Sequence, residues 1–280
     1  AARRFYSRRA ARQGGTLMPH IVCCVKQVPD PEAPASQFKV DEAAKKVLPI
    51  PGIQPVPSQF DTIGVEAALR VKDKVADTTI TVLTLGPDAF RDTIKHCLAM
   101  GVDEGVHIND PALNGADHWA TAEILAAAIK KIEPVDLIIC GRQAVDWDMG
   151  VVGSTLAELM GYPVITIVKE IQMEGGKVTA ERVLLDGFET VEAPTPCVVT
   201  VSNELGEPRY PQLRQIMQAA RKEVVTMTGS DLGIDGAKNR VNLEALFVPE
   251  TAVDTEFIEA ESAKEAGEQL AIRLREEKLI

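Results

Sequence analysis

Residues 136–158, DLIICGRQAVDWDMGVVGSTLAE, decide the fold. The apolar residues Leu137 to Cys140 stop at Gly141, the aspartates Asp146 and Asp148 follow, and small residues then lead into a helical pattern. A short, continuous apolar run that ends in glycine reads as a strand covered on both faces. With a helix directly after it, the pair predicts a strand-to-helix seam at the carboxyl edge of a parallel sheet, which is where ligand crevices form in such sheets.

Working outward, the same strand signature recurs at His20–Val28, Thr79–Gly86, Gly105–Ile108, Val135–Cys140, Val164–Ile171 and Cys197–Ser202. Helical patterns lie between these runs. Ser58 and Asp61 read as a capping box opening a helix over Phe60–Val75, where Ile63, Ala67 and Val71 recur every four residues. Pro87 reads as the first residue of a helix reaching Met100, with Gly101 ending it. Further helices are predicted over Ala116–Ile132 and Val151–Met160, the latter closed by Gly161 and Pro163. Strand and helix in alternation predict an α/β fold: a doubly wound, mostly parallel, Rossmann-like sheet with right-handed crossovers. After Lys177 two β-like runs flank Asp186-Gly187, a hairpin signal. From Gly229 the chain turns polar and aperiodic. A last helix over Ala260–Lys278 carries Ala263, Ala266, Leu270 and Leu274 on one face. This C-terminal extension has too little apolar surface to fold alone, so it is expected to lie along something else. The domains expected are a leader or start-site extension at 1–17, a nucleotide-binding domain at 18–230, and a C-terminal arm at 231–280.

The totals narrow the function classes. The chain has 280 residues, 45% hydrophobic and 25% charged, and a net charge of −11. Phosphate backbones are bound by basic stripes, so nucleic acid is excluded as a partner. No apolar run approaches the roughly 18 to 20 residues of a spanning helix. Five arginines and no acid fall within residues 1–17, ahead of Met18. That segment has no apolar stretch of the secretory kind but matches the composition of a mitochondrial presequence. The expected compartment is therefore a prokaryotic cytoplasm, or the mitochondrial matrix if the leader is a presequence. Cys23, Cys24, Cys97, Cys140 and Cys197 are odd in number, show no metal-ligand spacing and mostly lie in apolar runs, which reads as reduced, buried thiols.

Several strand ends converge on one candidate crevice. Cys24 closes the first strand, Ser58, Gln59, Phe60 and Asp61 open the following helix, Leu85 ends another strand, and Gly141 ends the strand of the opening quotation. Gly150 and Gly153 bracket the start of the next helix and leave its amides free of Cβ atoms, an arrangement that accepts phosphate. Asp146 and Asp148 admit two readings: a ribose or adenine contact, or simple capping of that helix. No G-x-G-x-x-G, no G-x-x-x-x-G-K-[ST], no serine elbow and no metal cluster occurs. His20, His96, His107 and His118 stand without catalytic spacing, so no catalytic residue is assigned.

A second segment, NELGEPRYPQLRQIMQAARKEV at 203–224, combines a proline-containing loop with Leu213, Ile216, Met217 and Ala220 at helical spacing. It reads either as a buried helix behind a surface turn or as a docking loop whose apolar anchor enters another protein's pocket.

Together VKQVPDPEAP, FDTIGVEAALRVKDK, LGPDAFRDTIKHCLAMGVDEGVHI, DLIICGRQAVDWDMGVVGSTLAELMGYP and NELGEPRYPQLRQIMQA resemble the beta subunits of electron transfer flavoproteins, FixA-type relatives included, over roughly residues 18 to 235. The resemblance implies pairing with an alpha subunit that carries most of the redox FAD, and a beta-subunit site holding AMP in simple carriers or a second FAD in electron-bifurcating ones. By position, that site comprises Cys24, Ser58, Gln59, Phe60, Asp61, Leu85, Gly141, Arg142, Gln143, Ala144, Val145, Asp146, Asp148, Met149, Gly150, Val151 and Val152. It also implies partner docking by Glu207, Pro208, Arg209, Tyr210, Leu213, Ile216 and Met217 of the 203–222 loop, with Leu213 inserted into partner flavin dehydrogenases such as acyl-CoA dehydrogenases. The acceptor would be quinone-reducing or ferredoxin-linked, and the C-terminal arm would wrap the alpha subunit. Gly150-Val151-Val152 stands where AMP-type members carry Asn-Gln-Thr, and Val183 where simple carriers often carry a glutamate; both point to FAD over AMP. Two rival readings share the sheet class: an ATP-using enzyme, disfavoured because Lys26-Gln27-Val28-Pro29 replaces a serine-glycine-glycine loop, and a stand-alone ATP- or AMP-binding protein, which needs neither docking loop nor arm.

Overall fold

The computed structural model describes residues 18–132, 134–249 and 255–280; the arginine-rich leader at 1–17 lies outside them. In chain order the elements are β1 (His20–Cys24), β2 (Gln27–Val28), β3 (Val40–Asp41), β4 (Lys46–Val47), β5 (Val56–Pro57), α1 (Gln59–Lys74), β6 (Thr79–Leu85), α2 (Arg91–Met100), β7 (Glu104–Ile108), α3 (His118–Ile132), β8 (Leu137–Gly141), α4 (Val152–Met160), β9 (Val164–Glu174), β10 (Lys177–Leu184), β11 (Gly187–Pro194), β12 (Cys197–Val201), α5 (Leu213–Arg221), β13 (Val224–Met227), α6 (Gly229–Leu232) and α7 (Ala263–Glu276). Nine strands form one sheet in the order β11-β10-β9-β12-β8-β1-β6-β7-β13. Every pairing from β9 across to β13 is parallel, and β9, β10 and β11 continue it as an antiparallel meander. This is the doubly wound, mostly parallel α/β fold that the alternation predicts.

The continuous apolar runs are explained by two cores, one on each face. Along β1, Ile21 and Cys23 pack into one cluster with Ile63 and Val71 of α1, Ile94 and Leu98 of α2 and Ala219 of α5. Val22 and Cys24 point the other way and join Ile124 and Ile129 of α3, Leu156 of α4 and Leu232 of α6. Successive strand side chains alternate faces, so a strand buried on both must be apolar at every position. Burying a large aliphatic side chain is worth about 1.5–3 kcal/mol, so such strands fix the layer order firmly.

Local readings need correction where long-range partners intervene. The first run does not reach Val28 as one strand: it breaks after Cys24, because the Lys26 amide donates to the Asp61 carboxylate (2.8 Å) instead of a strand neighbour. Ser58 is the N-cap of α1, but no side-chain capping bond forms there. Pro87 precedes a short 3₁₀ turn over Asp88–Phe90 with extended backbone, and the α-helix begins only at Arg91. The Asp186-Gly187 hairpin forms as expected, with β10 and β11 paired from Lys177↔Pro194 to Leu184↔Gly187.

The chain divides into two compact units, residues 1–39 with 47–244, and residues 40–46 with 245–280. The 229–241 stretch belongs to the first of these units: Leu232 is buried in the second core, and Asp117 accepts from the amides of Arg240 and of Val241 (2.8 Å). Within the second unit, α7 buries none of its residues, and Phe257, Leu270 and Ile272 are exposed. Among the described residues no helix is long and apolar enough to cross a membrane.

Candidate functional site

The sheet has its switch point between β1 and β8. From β1 the chain steps outward through β6 and β7, then returns to place β8 on the other side of β1. The helices leaving these strands lie on opposite faces, α1 with the first core and α4 with the second. Between such helices a crevice opens at the carboxyl ends of the strands. Cys24, Leu85 and Gly141 are the last residues of β1, β6 and β8, three adjacent strands, so the structure brings the predicted strand-end residues together.

Asp61 ties the crevice wall into one piece. It sits in the first turn of α1, buried, where its carboxylate accepts from the amides of Lys26 (2.8 Å) and Gly141 (3.1 Å). The Ser58 amide donates to the Lys26 carbonyl (2.8 Å), a second tie between the same segments. Burial pushes the Asp61 carboxyl up to about 7; the two amides and the Lys26 charge lower it, and Asp146 adds to the rise. Gly141 is glycine because a Cβ there would overlap the Asp61 carboxylate and the Phe60 backbone. Phe60 in turn lies beneath the Arg142 guanidinium, 5.9 Å from ring centroid to Cζ.

The second wall is the start of α4. Its N-cap is Val151, with no side-chain cap and no acid in the first turn. The capping reading of Asp146 and Asp148 is thereby overturned. Asp146 pairs with the Lys26 ammonium at 2.6 Å, and Asp148 is exposed on left-handed backbone (φ 55°). Gly150 also takes left-handed backbone (φ 64°), which turns the chain into the helix. Gly153 has a packing role as well: a Cβ there would stand 2.5 Å from Thr200 Cγ2, so it permits α4 to lie close on β12. Gln143, Ala144 and Val145 are half-buried beneath this loop, whereas Met149 and Trp147 stand 55% and 52% exposed at its lip. The Ser58 hydroxyl, at the start of α1, is buried and has no hydrogen-bond partner. Burying a hydroxyl unpaired costs about 1–3 kcal/mol, so this group calls for a partner such as a water or a ligand oxygen. All five cysteines are free and buried, and burial pushes the Cys197 thiol up to about 12.

The 203–222 segment is not a buried helix. Tyr210, Leu213, Met217 and Ile216 are 92%, 74%, 58% and 48% exposed, and Ala219 alone of α5 is buried. Glu207 is exposed and Pro208 half-buried, and the Arg209 guanidinium meets Glu66 (Nε, 2.8 Å) and Asp73 (Nη2, 2.8 Å) on α1. Arg209, half-buried, thus ties the loop to α1. Glu66 has no signal in the α1 pattern beyond its spacing of four from Arg70.

An electron transfer flavoprotein domain model matches residues 54–232, which hold α1 through α6 and so both walls and the exposed helix. The chain is 34% identical over 265 residues, 93% of this chain and 99% of the relative, to the caffeyl-CoA reductase-Etf complex subunit CarD of Acetobacterium woodii. It is 38% identical to an electron transfer flavoprotein subunit beta of Megasphaera elsdenii, over 78% of this chain and 81% of that one. A subunit beta of Thermoanaerobacterium thermosaccharolyticum is 35% identical over 93% of this chain and 100% of its own length.

Proposed function

The chain belongs to the beta-subunit family of electron transfer flavoproteins, and on that premise we propose that it is the beta subunit of a heterodimeric carrier whose crevice takes the adenosine phosphate end of a second FAD rather than AMP. The observation that carries this reading is a pair of unspent donors at one crevice: the buried, partnerless Ser58 hydroxyl on one wall and the uncapped first turn of α4 on the other. Both ask for an oxygen-rich, anionic ligand. The residues fit it as follows. Amides of Val152 and Gly153 would hold phosphate with the helix dipole behind them, the Ser58 hydroxyl would hold a ribose or phosphate oxygen, and Cys24, Leu85 and residues 142–149 would form floor and lip.

FAD is favoured over AMP by what the lip lacks and what it offers. Gly150-Val151-Val152 brings no side-chain hydroxyl or amide to a terminal phosphate dianion, while Trp147 and Met149 give exposed apolar cover beyond it. A bound flavin supplies the one- and two-electron chemistry, and the chain supplies binding, orientation and exclusion of water. The exposed α5 stripe, led by Leu213, would dock flavin dehydrogenases such as acyl-CoA dehydrogenases, with a quinone-reducing or ferredoxin-linked acceptor downstream. The name of the Acetobacterium woodii relative, which joins an Etf to the reductase of a CoA thioester, supports a donor or acceptor of that class. The second unit, with its unburied α7, would wrap the alpha subunit. Bacterial relatives and five free, buried thiols favour a reducing prokaryotic cytoplasm.

The test is nucleotide content. The chain is co-expressed with its alpha partner, the complex denatured, and the released nucleotides quantified. Two FAD per heterodimer are expected; one FAD with one AMP would overturn the choice of FAD, and no adenine nucleotide beyond a single FAD would overturn the crevice assignment.

A further inference from the structure

The helix that exposes Leu213, Ile216 and Met217 buries only Ala219, so its own apolar packing cannot fix its position. Two sets of polar bonds do so instead. At its leading end, the Glu66 carboxylate on α1 accepts from four donors: the Arg209 amide (3.1 Å), Arg209 Nε (2.8 Å), Arg209 Nη2 (3.2 Å) and Arg70 Nε (2.9 Å). Arg70 continues the tie by donating from Nη1 to the Leu205 carbonyl (2.8 Å), and Arg209 Nη2 reaches Asp73 (2.8 Å). Burial alone would push the Glu66 carboxyl up, but the Arg209 and Arg70 bonds outweigh it and hold the group below its ordinary range. Charge-assisted bonds to a side chain that is only 6% exposed are strong and directional.

At the trailing end, the Lys95 ammonium on α2 donates to three carbonyls at the close of α5, those of Ala219 (3.0 Å), Ala220 (3.2 Å) and Lys222 (2.6 Å). These carbonyls close the last turn, where a helix leaves acceptors over; that of Ala219 also accepts from the Lys222 amide (3.1 Å), and a cation there meets the negative end of the helix dipole. Lys222 is itself pinned by its ammonium to the Val102 carbonyl (2.6 Å).

We infer that Glu66 and Lys95 are positioning residues for partner docking: they hold α5 at both ends as a pre-ordered mount, so that Leu213, Ile216 and Met217 meet the dehydrogenase without first being ordered. The inference rests on the docking reading of α5 given above. A residue that must be re-ordered on docking costs backbone entropy, so releasing even one weakens docking about tenfold. Neither residue reaches the exposed stripe, and both act only through the helix they hold.

The experiment uses the flavin-loaded heterodimer with a partner acyl-CoA dehydrogenase as donor. Wild type, E66Q, K95M, L213A and the doubles E66Q/L213A and K95M/L213A are compared for KM towards the flavoprotein, for kcat and for bound nucleotide. E66Q and K95M are each expected to raise KM about tenfold while kcat and nucleotide content stay within twofold. In the L213A background the same substitutions should raise KM by clearly less than in the wild-type background, since the leading anchor they position is already gone. If L213A alone leaves KM unchanged, the docking reading falls. If L213A raises KM but E66Q and K95M do not, or if they raise it equally with and without Leu213, the positioning role is overturned.

Discussion

Replacing Asp61 by asparagine separates a buried, proton-binding clamp from an ordinary helix cap. In the folded chain the carboxyl is raised from its ordinary 3.8 to about 7 by burial, with Lys26 lowering it and Asp146 raising it, and the buried thiols Cys23 and Cys97 packed nearby. A group whose folded pKa lies above its unfolded one adds stability that is complete below the unfolded value and is lost as pH climbs through the folded value. The interval from 3.8 to about 7, at about 1.4 kcal/mol per pH unit, gives about 4 kcal/mol in all. Between pH 5 and pH 9 the linkage relation leaves about 3 kcal/mol of that to be lost.

The D61N chain has no such proton to lose. Its amide oxygen can still accept from Gly141, but its NH₂ group would face the Lys26 amide, a pH-independent cost of about 1–3 kcal/mol. The assay is urea or thermal unfolding of both full-length chains at half-unit steps from pH 5 to 9. The wild-type advantage over D61N should shrink by about 3 kcal/mol across that range, roughly 5–10 °C in Tm for a domain of this size. A difference that stays constant within about 0.5 kcal/mol would refute the reasoning, because Asp61 would then be ionised throughout in a wetter crevice. A wild-type advantage that grew with pH would refute it more strongly, since it would require a lowered folded pKa.

Three further outcomes follow from the same geometry. The Lys26–Asp146 pair at 2.6 Å bridges the two lips of the crevice, so D146N should free Lys26 for the ligand's phosphate and tighten nucleotide binding several-fold, while K26M loosens it; equilibrium titration of nucleotide-stripped protein that found D146N weaker would show that Asp146 contacts the ligand itself. G153A should destabilise the fold by about 1–3 kcal/mol through the 2.5 Å approach to Thr200 Cγ2, and T200S, which removes that methyl but keeps the hydroxyl bonded to the Ile167 amide (3.0 Å), should restore most of the loss in urea unfolding. The five cysteines, all free and buried with thiols such as Cys197 held near 12, should react with a disulfide reagent at pH 8 only after denaturation; rapid labelling of the native chain would contradict the packing.

What is legible in the sequence is what burial writes locally. Leu137 to Cys140 are apolar at every position because β8 is covered on both faces, and that pattern survives without knowledge of any partner. Asp61 is legible as a helix-start residue but its role is not: the Ser58/Asp61 spacing mimics a capping box, whereas its true partners, Lys26 and Gly141, lie 35 and 80 residues away. Gly153 reads as an amide left bare for phosphate, and the sequence gives no sign that its missing Cβ also makes room for Thr200 of β12. The strand β13, Val224–Met227, escapes a local reading because four residues behind a basic helix end carry too little periodicity. The tie of Arg209 is hidden from a local reading in the same way as that of Asp61, since the carboxylate that holds it is 143 residues distant.

These long-range ties meet on one element. In α1 the apolar stripe Ile63, Ala67 and Val71 faces the core, and beside it Glu66, Arg70 and Asp73 recur at i, i+4 and i+7, a charged stripe on the flank that receives the 203–209 loop. Nearer the helix start, Asp61 holds the amides that shape the crevice. Five residues separate Asp61 from Glu66, about 7.5 Å along the axis at 1.5 Å per residue. The crevice wall and the mount of the exposed helix are therefore parts of a single rigid body of 16 residues, and any tilt of that body is shared by both.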